Sequence, residues 1–232
     1  MTPPDSTTTR WWWIRHAPVV GHDGRIYGQD DHDCDCSDTV TFQSLARVLP
    51  RDAVWVTSHL KRTHRTADSI LAHRGDIGIA ARLIEEALAE QHFGAWQGIT
   101  AAQLHEDRDG AWHRFWLAPA HEAPPGGESF IDLTARVGAV VERLSQEHSG
   151  RDIVAVTHGG TIRSALAIAL GLEPERALSI AVDNCSLTCI DHIHGTAGSH
   201  APDPHGVWRV RLVNAAPRQL DWHRGAPESA LD

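Results

Sequence analysis

Hydrophobic residues in this chain fall into short unbroken runs, separated by longer stretches with helical spacing. RWWWIR (10–15), AVWVTS (53–58), IGIAARL (77–83) and DIVAVTH (152–158) read as strands. A strand buried on one face alternates apolar and polar residues, whereas one buried on both faces does not. Helical spacing takes over between the runs. TVTFQSLARVL follows the capping candidates Ser37 and Asp38. RTHRTADSILAH (62–73) gathers Ala67, Ile70 and Leu71 on one face. Two short helices are expected around 99–106 and 109–117, a long one from about 128 to 148, and another after VTHGG. Further strands are expected near 179–191 and 206–214. Strands alternating with helices predict an α/β fold: a three-layer α/β/α sandwich with a mostly parallel central sheet and a small helical insertion.

The breaker APPGG (123–127) closes the candidate insertion, 99–127, a helical or lid-like stretch. Within it Trp112, Phe115 and Trp116 are candidates for a lid lining or for core. The expected organisation is a loose tail over 1–9, one domain over 10–222, and a mobile tail over 223–232.

Composition narrows the function classes. A hydrophobic fraction of 41% allows a sizeable core, and a formal net charge of -9 argues against nucleic acid as a partner. It leaves room for a small positive pocket. No apolar run approaches a membrane span. The start, MTPPDSTTTR, lacks the basic and apolar regions of a secretory signal. The expected address is therefore cytoplasmic, with Cys34, Cys36, Cys185 and Cys189 as reduced thiols. No pattern reads out an oligomeric state. Seventeen histidines are too many for residue type alone to select a site.

Position does the selecting. In open α/β sheets ligands bind beyond the carboxyl ends of the strands. One candidate strand ends at His16 and another at His158, while AVWVTS runs out four residues before Arg62. Three strand ends could thus bring two imidazoles together with Arg15 and Arg62. Guanidinium forks clamp phosphate, and imidazole is a nucleophile near neutral pH. The combination points to phosphoryl transfer through histidine, carried largely by positioning and charge neutralisation.

These residues lie in segments that resemble one family. IRHAPV resembles the Arg-His-Gly signature of the histidine phosphatase (phosphoglycerate mutase-like) superfamily. TSHLKRTHRTA (57–67), LAEQHFGAWQG (88–98), PPGGES (124–129) and VTHGGTIR (156–163) resemble four further segments of it, in the family's order. The pattern is nearest the α-ribazole phosphatase and broad phosphatase branch, whose Tyr-Gly-Gln-Thr-Asp loop IYGQDD (26–31) resembles. The resemblance implies a metal-independent phosphomonoesterase without a cofactor, acting on a small phosphorylated metabolite. His16 would be the nucleophile; Arg15, Arg62 and His158 would bind the phosphoryl oxygens. Glu90 would be the general acid and then the base. Acid catalysis near neutral pH asks a carboxyl to hold its proton above the ordinary value of about 4.3. Gly28 would allow close backbone approach to substrate, and Gly159 would offer a backbone N–H to phosphate. Ser58 would orient His16 or its loop, and His22 stands where the mutase pattern often has asparagine.

Three departures bear on substrate choice. Ala17 replaces the family's glycine, Gln97 replaces a glutamate, and Ala17-Pro18-Val19 replaces the usual Gly-Glu-Ser/Thr. They argue against a dedicated phosphoglycerate mutase, although mutase or bisphosphatase activity on the same site stays open. Two other readings remain at this stage. One is a non-catalytic phosphate-binding protein. The other is a metal-binding module on DDHDCDC, through His32, Cys34 and Cys36.

Overall fold

The computed structural model describes residues 6–75, 82–106, 113–195 and 206–220. Its sheet has six strands: β1 (Ser6–Arg15), β2 (Val54–Thr57), β3 (Leu83–Ile84), β4 (Asp152–Thr157), β5 (Leu187–Gly195) and β6 (Val207–Ala215). Their order across the sheet is β3-β2-β4-β1-β5-β6. Pairing from β3 through β2 and β4 to β1 is parallel. β5 and β6 extend the sheet in antiparallel fashion. The long helices are α1 (Thr39–Val48), α2 (Lys61–Ala72), α4 (Phe130–Glu147) and α5 (Gly159–Leu170). Short ones are α3 (Ala101–Glu106) and α6 (Pro174–Ala177).

The tryptophan run shows how the layers form. Trp11 and Trp13 point to one face of β1 and pack with Leu133, Val137 and Val141 of α4 and Ile162 and Leu166 of α5. Trp12 and Ile14 point to the other face, with Phe42 and Leu45 of α1 and Ala67 and Ile70 of α2. Side chains on a strand alternate faces, so three consecutive tryptophans serve two cores. Trp11 and Trp13 stack with ring centroids 4.7 Å apart. The Trp11 indole N–H donates to Ser145 Oγ of α4 at 2.9 Å, and that of Trp12 to Asp152 Oδ1 at 2.8 Å.

Helix ends follow local chemistry. Asp38 caps α1 through its carboxylate and the Thr41 N–H. Ser129 and Asp132 form a reciprocal capping box on α4.

Several elements differ from the sequence expectation. β1 begins at Ser6, inside the stretch expected to be a tail, because Ser6–Thr9 pair with the far end of β5. Thr9 is buried there and donates to the Ser145 carbonyl. Over 113–117 the backbone forms turns rather than the expected helix. Residues 107–112, including Trp112, lie outside the described residues, as do most of the strand expected at 77–83 and the terminal stretches 1–5 and 221–232. Among the described residues, no helix is long and apolar enough to cross a membrane.

The double burial around β1 sets a stability test. Trp11→Ala should cost about 3–5 kcal/mol, seen as a lower urea midpoint with an unchanged slope. Val207→Ala, at a half-exposed position, should stay within about 0.5 kcal/mol.

Candidate active site

The carboxyl ends of β1 and β4 lie side by side, with Arg15 in register with Thr157. His16 follows one strand and His158 the other. The His16 N–H donates to the Thr157 carbonyl at 2.8 Å. The two imidazoles are fully buried, with centroids 5.2 Å apart.

Hydrogen bonds define which nitrogen of each ring carries the proton. His16 Nδ1 lies 2.7 Å from the Ala17 carbonyl. A carbonyl only accepts, so Nδ1 is the protonated nitrogen. Nε2 then keeps its lone pair, and it has no hydrogen-bond partner among the described residues. Arg62 Nε donates to His158 Nδ1 at 3.4 Å, and His158 Nε2 pairs with Ser58 Oγ at 2.8 Å. His158 is thus the opposite tautomer, with the Nε2 proton on Ser58. Ser58, expected to orient His16 or its loop, bonds His158 and accepts the Leu60 N–H of its own loop. Burial, reinforced by the Arg62 and Arg15 charges, holds His16 well below the ordinary histidine range. Burial, Arg62 and the neighbouring His16 ring do the same to His158. Both rings are neutral.

The strand exit is pinned on several sides. The Ala17 N–H donates to Thr66 Oγ1 at 2.8 Å, and Asn184 Nδ2 donates to the His16 carbonyl at 2.8 Å. Ala17 is fully buried, and its backbone lies outside the left-handed region. Nothing in its conformation therefore calls for the family's glycine.

The arginines are held mainly by carbonyls. Arg15 Nη1 donates to the Val182 carbonyl at 2.7 Å. Its buried Nε has no hydrogen-bond partner among the described residues. Arg62, fully buried, donates from Nη1 to the Asp30 carbonyl (2.8 Å) and from Nη2 to the Gly28 carbonyl (2.6 Å). Burial lowers its pKa, with the Glu90 charge opposing. A third cation was missed in the sequence. Arg163 lies one turn into α5, donates to the Ile180 carbonyl at 2.8 Å, and sits 4.7 Å above the Trp116 ring. Burial draws it down to about 10.

Glu90 is buried, and its carboxylate accepts from the Gly160 N–H at 3.1 Å and the Gln91 N–H at 3.0 Å. The start of α5 thus spends one N–H on Glu90. Gly159 stands beside Arg15: a Cβ there would lie 3.6 Å from Arg15 Nε. The loop carrying Glu90 is tied down by Arg136, which no motif flagged. Arg136 donates to the Ala87, Ala89 and Glu90 carbonyls and pairs with Glu128 at 2.6 Å. Glu128, from PPGGES, also accepts the His92 N–H. The glycines explain why two motifs meet: a Cβ on Gly94 would overlap the Pro125 carbonyl, and one on Gly127 the His92 carbonyl.

Gly28 has φ +43°, and a Cβ there would come within 2.6 Å of Gln97 Oε1. Gln97 Oε1 accepts the Gln29 and Phe93 N–H groups at 3.2 Å, and its Nε2 donates to Asp30 Oδ1 at 2.7 Å. His22 does not join the cluster; its ring packs edge-on against Tyr27, 5.2 Å between centroids. Tyr27 also lies beside His32 and under Arg62. Among the described residues no group of three or more ligand-type side chains is arranged to hold a metal ion.

Above Arg15, Gly28 and Glu90 opens a cavity of about 450 Å³, walled by Tyr27, Phe93 and Trp116 and edged by Arg25, His105, His113 and Arg114. Phe115 also lines it.

A fold with this strand-end constellation defines a class of phosphate-handling α/β proteins. A model of the histidine phosphatase superfamily (branch 1) matches residues 11–202, and the chain belongs to that family. A bifunctional protein of Mycobacterium tuberculosis is 33% identical over 165 residues, 70% of this chain but 40% of that protein. This chain therefore spans well under half of that relative. A glucosyl-3-phosphoglycerate phosphatase of M. tuberculosis is 38% identical over 215 residues, 88% of this chain and 93% of that one. The solved α-ribazole phosphatase of Shigella flexneri superposes with a TM-score of 0.71 at 24% identity, covering 93% of this chain and 100% of that one. That likeness is one of fold.

Two outcomes follow from this geometry. Gly160→Ala would drive a Cβ into Glu90 Oε1. It should lower kcat by about 10²-fold, the effect of an ångström-scale displacement, while thermal unfolding stays cooperative. The neutral imidazoles set a pH dependence. Below about pH 6.5 the unfolded rings take up protons that the folded ones refuse. Their stabilising contribution is full above that value. It is lost as the pH falls toward the depressed folded values, by up to about 1.4 kcal/mol per pH unit for each ring. Urea midpoints measured downward from pH 7 should show this slope, and His158→Gln should flatten it.

Proposed function

We propose that the chain is a phosphomonoesterase working through a phosphohistidine on His16. The observation that carries this reading is the unprotonated, unpartnered Nε2 of a buried neutral His16, set between Arg15 and Arg62. Nε2 attacks phosphorus as the bond to the leaving oxygen breaks. Arg15, Arg62 and the Gly159 N–H hold the phosphoryl oxygens. His158, as paired here, keeps the Arg62 fork in place, and binds phosphate itself only if the Nε2 proton turns from Ser58 to the substrate. With the substrate's phosphate charge beside it, the Glu90 carboxylate takes up a proton and gives it to the leaving oxygen. It then takes one from the water that attacks phosphorus and frees Nε2. No step calls on a metal or an organic cofactor.

The substrate class we favour is a phosphorylated glycerate carrying a sugar. Similarity to the mycobacterial glucosyl-3-phosphoglycerate phosphatase supports it. So does a cavity of ligand size with aromatic walls for a sugar face and arginines at its edge for a second anion.

Hydrolysis of an aryl phosphate should survive chelator treatment. His16→Ala should reduce it to background, and Glu90→Gln should lower kcat by about 10²–10⁴-fold. Undiminished turnover by His16→Ala would overturn the mechanism. A panel of glucosyl-3-phosphoglycerate, 3-phosphoglycerate, α-ribazole phosphate and fructose bisphosphate checks the substrate class. The first should show the highest kcat/KM.

A further inference from the structure

The segment Asp33–Cys36 lies against the back of the active site and has no part in the chemistry above. Its backbone is stitched to the strand exit after His16. The Val20 N–H donates to the Asp33 carbonyl at 3.0 Å, and the Asp35 N–H to the Pro18 carbonyl at 2.7 Å. Within it Cys34 and Cys36 bring their sulfurs to 3.7 Å of each other. Cys34 is buried and Cys36 half-buried, so one sulfur is sheltered and the other open to small reagents.

The surroundings of the two thiols differ. Cys36 faces the Arg65 charge and Ser69. The Cys34 hydrogen bond, helped by Ser69 and Arg65, lowers its pKa, with burial and Asp33 opposing. Cys34 is pushed the other way by the same pairing and by burial. Of the two, Cys36 is the one favoured to ionise. Cys185 and Cys189, in contrast, are buried and pushed up to about 12 by that burial, which keeps them inert.

We propose that Cys34 and Cys36 are a peroxide-reactive dithiol, with Cys36 the attacking sulfur and Cys34 the resolving one, and that oxidation to the disulfide lowers turnover at the adjoining active site. The second half rests on the phosphatase reading; the first does not. Hydrogen peroxide is the oxidant. The Cys36 thiolate attacks one peroxide oxygen, the O–O bond breaks, and the departing hydroxide is protonated to water. Sulfur is oxidised by two electrons to the sulfenic acid and peroxide is reduced. Cys34 then attacks that sulfur. The S–S bond forms, the S–O bond breaks, and a second water leaves with the Cys34 proton. Two thiols and one peroxide give one disulfide and two waters.

The coupling is steric. Cys34 Sγ lies 3.4 Å from the Arg62 carbonyl and 3.8 Å from Thr66 Oγ1. Thr66 Oγ1 is also the acceptor for the Ala17 N–H. Closing the sulfurs from 3.7 Å to about 2.05 Å requires one or both to move. A shift of Cys34 disturbs its contacts with the Arg62 carbonyl and with Thr66, whose hydroxyl holds the Ala17 N–H.

Thiol counting after peroxide tests the site without reference to activity. The reduced protein has four free thiols. Peroxide should remove two, dithiothreitol should restore them, and the fragment containing Cys34 and Cys36 should lose two hydrogens in mass. Cys36→Ser should lose none, and Cys34→Ser should give a sulfenic acid on Cys36 that dimedone traps. Aryl phosphate turnover should fall several-fold and reversibly in the wild type but not in Cys36→Ser. Survival of all four thiols, first loss at Cys185 or Cys189, or equal loss in Cys36→Ser would overturn the dithiol. Disulfide formation with unchanged turnover would overturn the coupling. No turnover in the reduced protein would instead count against the phosphatase reading, with the thiol count still deciding the dithiol.

Discussion

The parallel pairing of β1 with β4 is the constraint on which the rest depends. With Arg15 opposite Thr157, the residues that follow, His16 and His158, must emerge beside each other. A one-residue slip would turn every side chain of β1 to the opposite face. The three tryptophans make such a slip prohibitive, because each face of the strand is already packed against its own helices. The apolar run upstream of the Arg-His pair is thus what fixes the pair's alignment.

Charge imposes the second constraint. Arg15, Arg62 and Arg163 crowd the neighbourhood of two imidazoles, and the structure keeps the rings neutral instead of adding carboxylates to match. The arginines are held by the carbonyls of Val182, Gly28, Asp30 and Ile180. A carbonyl dipole orients a guanidinium without cancelling its charge, so the positive potential stays available to an anion. Arg136 shows the contrast. It forms a close pair with Glu128, and its task is to hold the Glu90 loop. On the sheet, Asp191 likewise gathers Arg10, Arg209 and Arg211. Arg136 and the Asp191 group are thus neutralised by close carboxylates, whereas Arg15, Arg62 and Arg163 are held by carbonyls.

What was legible in the sequence was the part carried by local pattern. Strand runs ending in His16 and His158, a caps-then-helix signal at Asp38, and the layered α/β class all have short-range signatures. The antiparallel edge had none, since a short apolar run reads alike in either direction. Ser6–Thr9 has the composition of a tail, and only its distant partner β5 makes it a strand. At the site, the residues of the motifs arrived together, but their partners were not readable. Ser58 bonds His158 because β2 and β4 run parallel, with Thr57 opposite Val156. His22 rests on Tyr27, which is a matter of loop path. Arg136 and Asn184 lie outside any motif and act through backbone carbonyls far away in the chain. Arg163 had a usable signal: it falls one helical turn past Gly159 and Gly160, on the end of α5 nearest the site.

Ala17 and Gln97 preserve structure. Ala17 needs no special backbone, and its N–H is held by Thr66. Gln97 makes one set of bonds that a glutamate would also make, through Oε1, and one that it would not, through Nε2 to Asp30. A glutamate there would set two carboxylates at hydrogen-bond distance. Asp30 itself stands where the resembling loop has threonine, so the two changes compensate: the charge moves from one side of the Gly28 loop to the other, and the loop keeps its shape. Neither change alters the groups around His16. On the phosphatase reading proposed above, discrimination between substrates falls to the outer cavity, where Arg25 and Arg114 lie with the aromatic side chains.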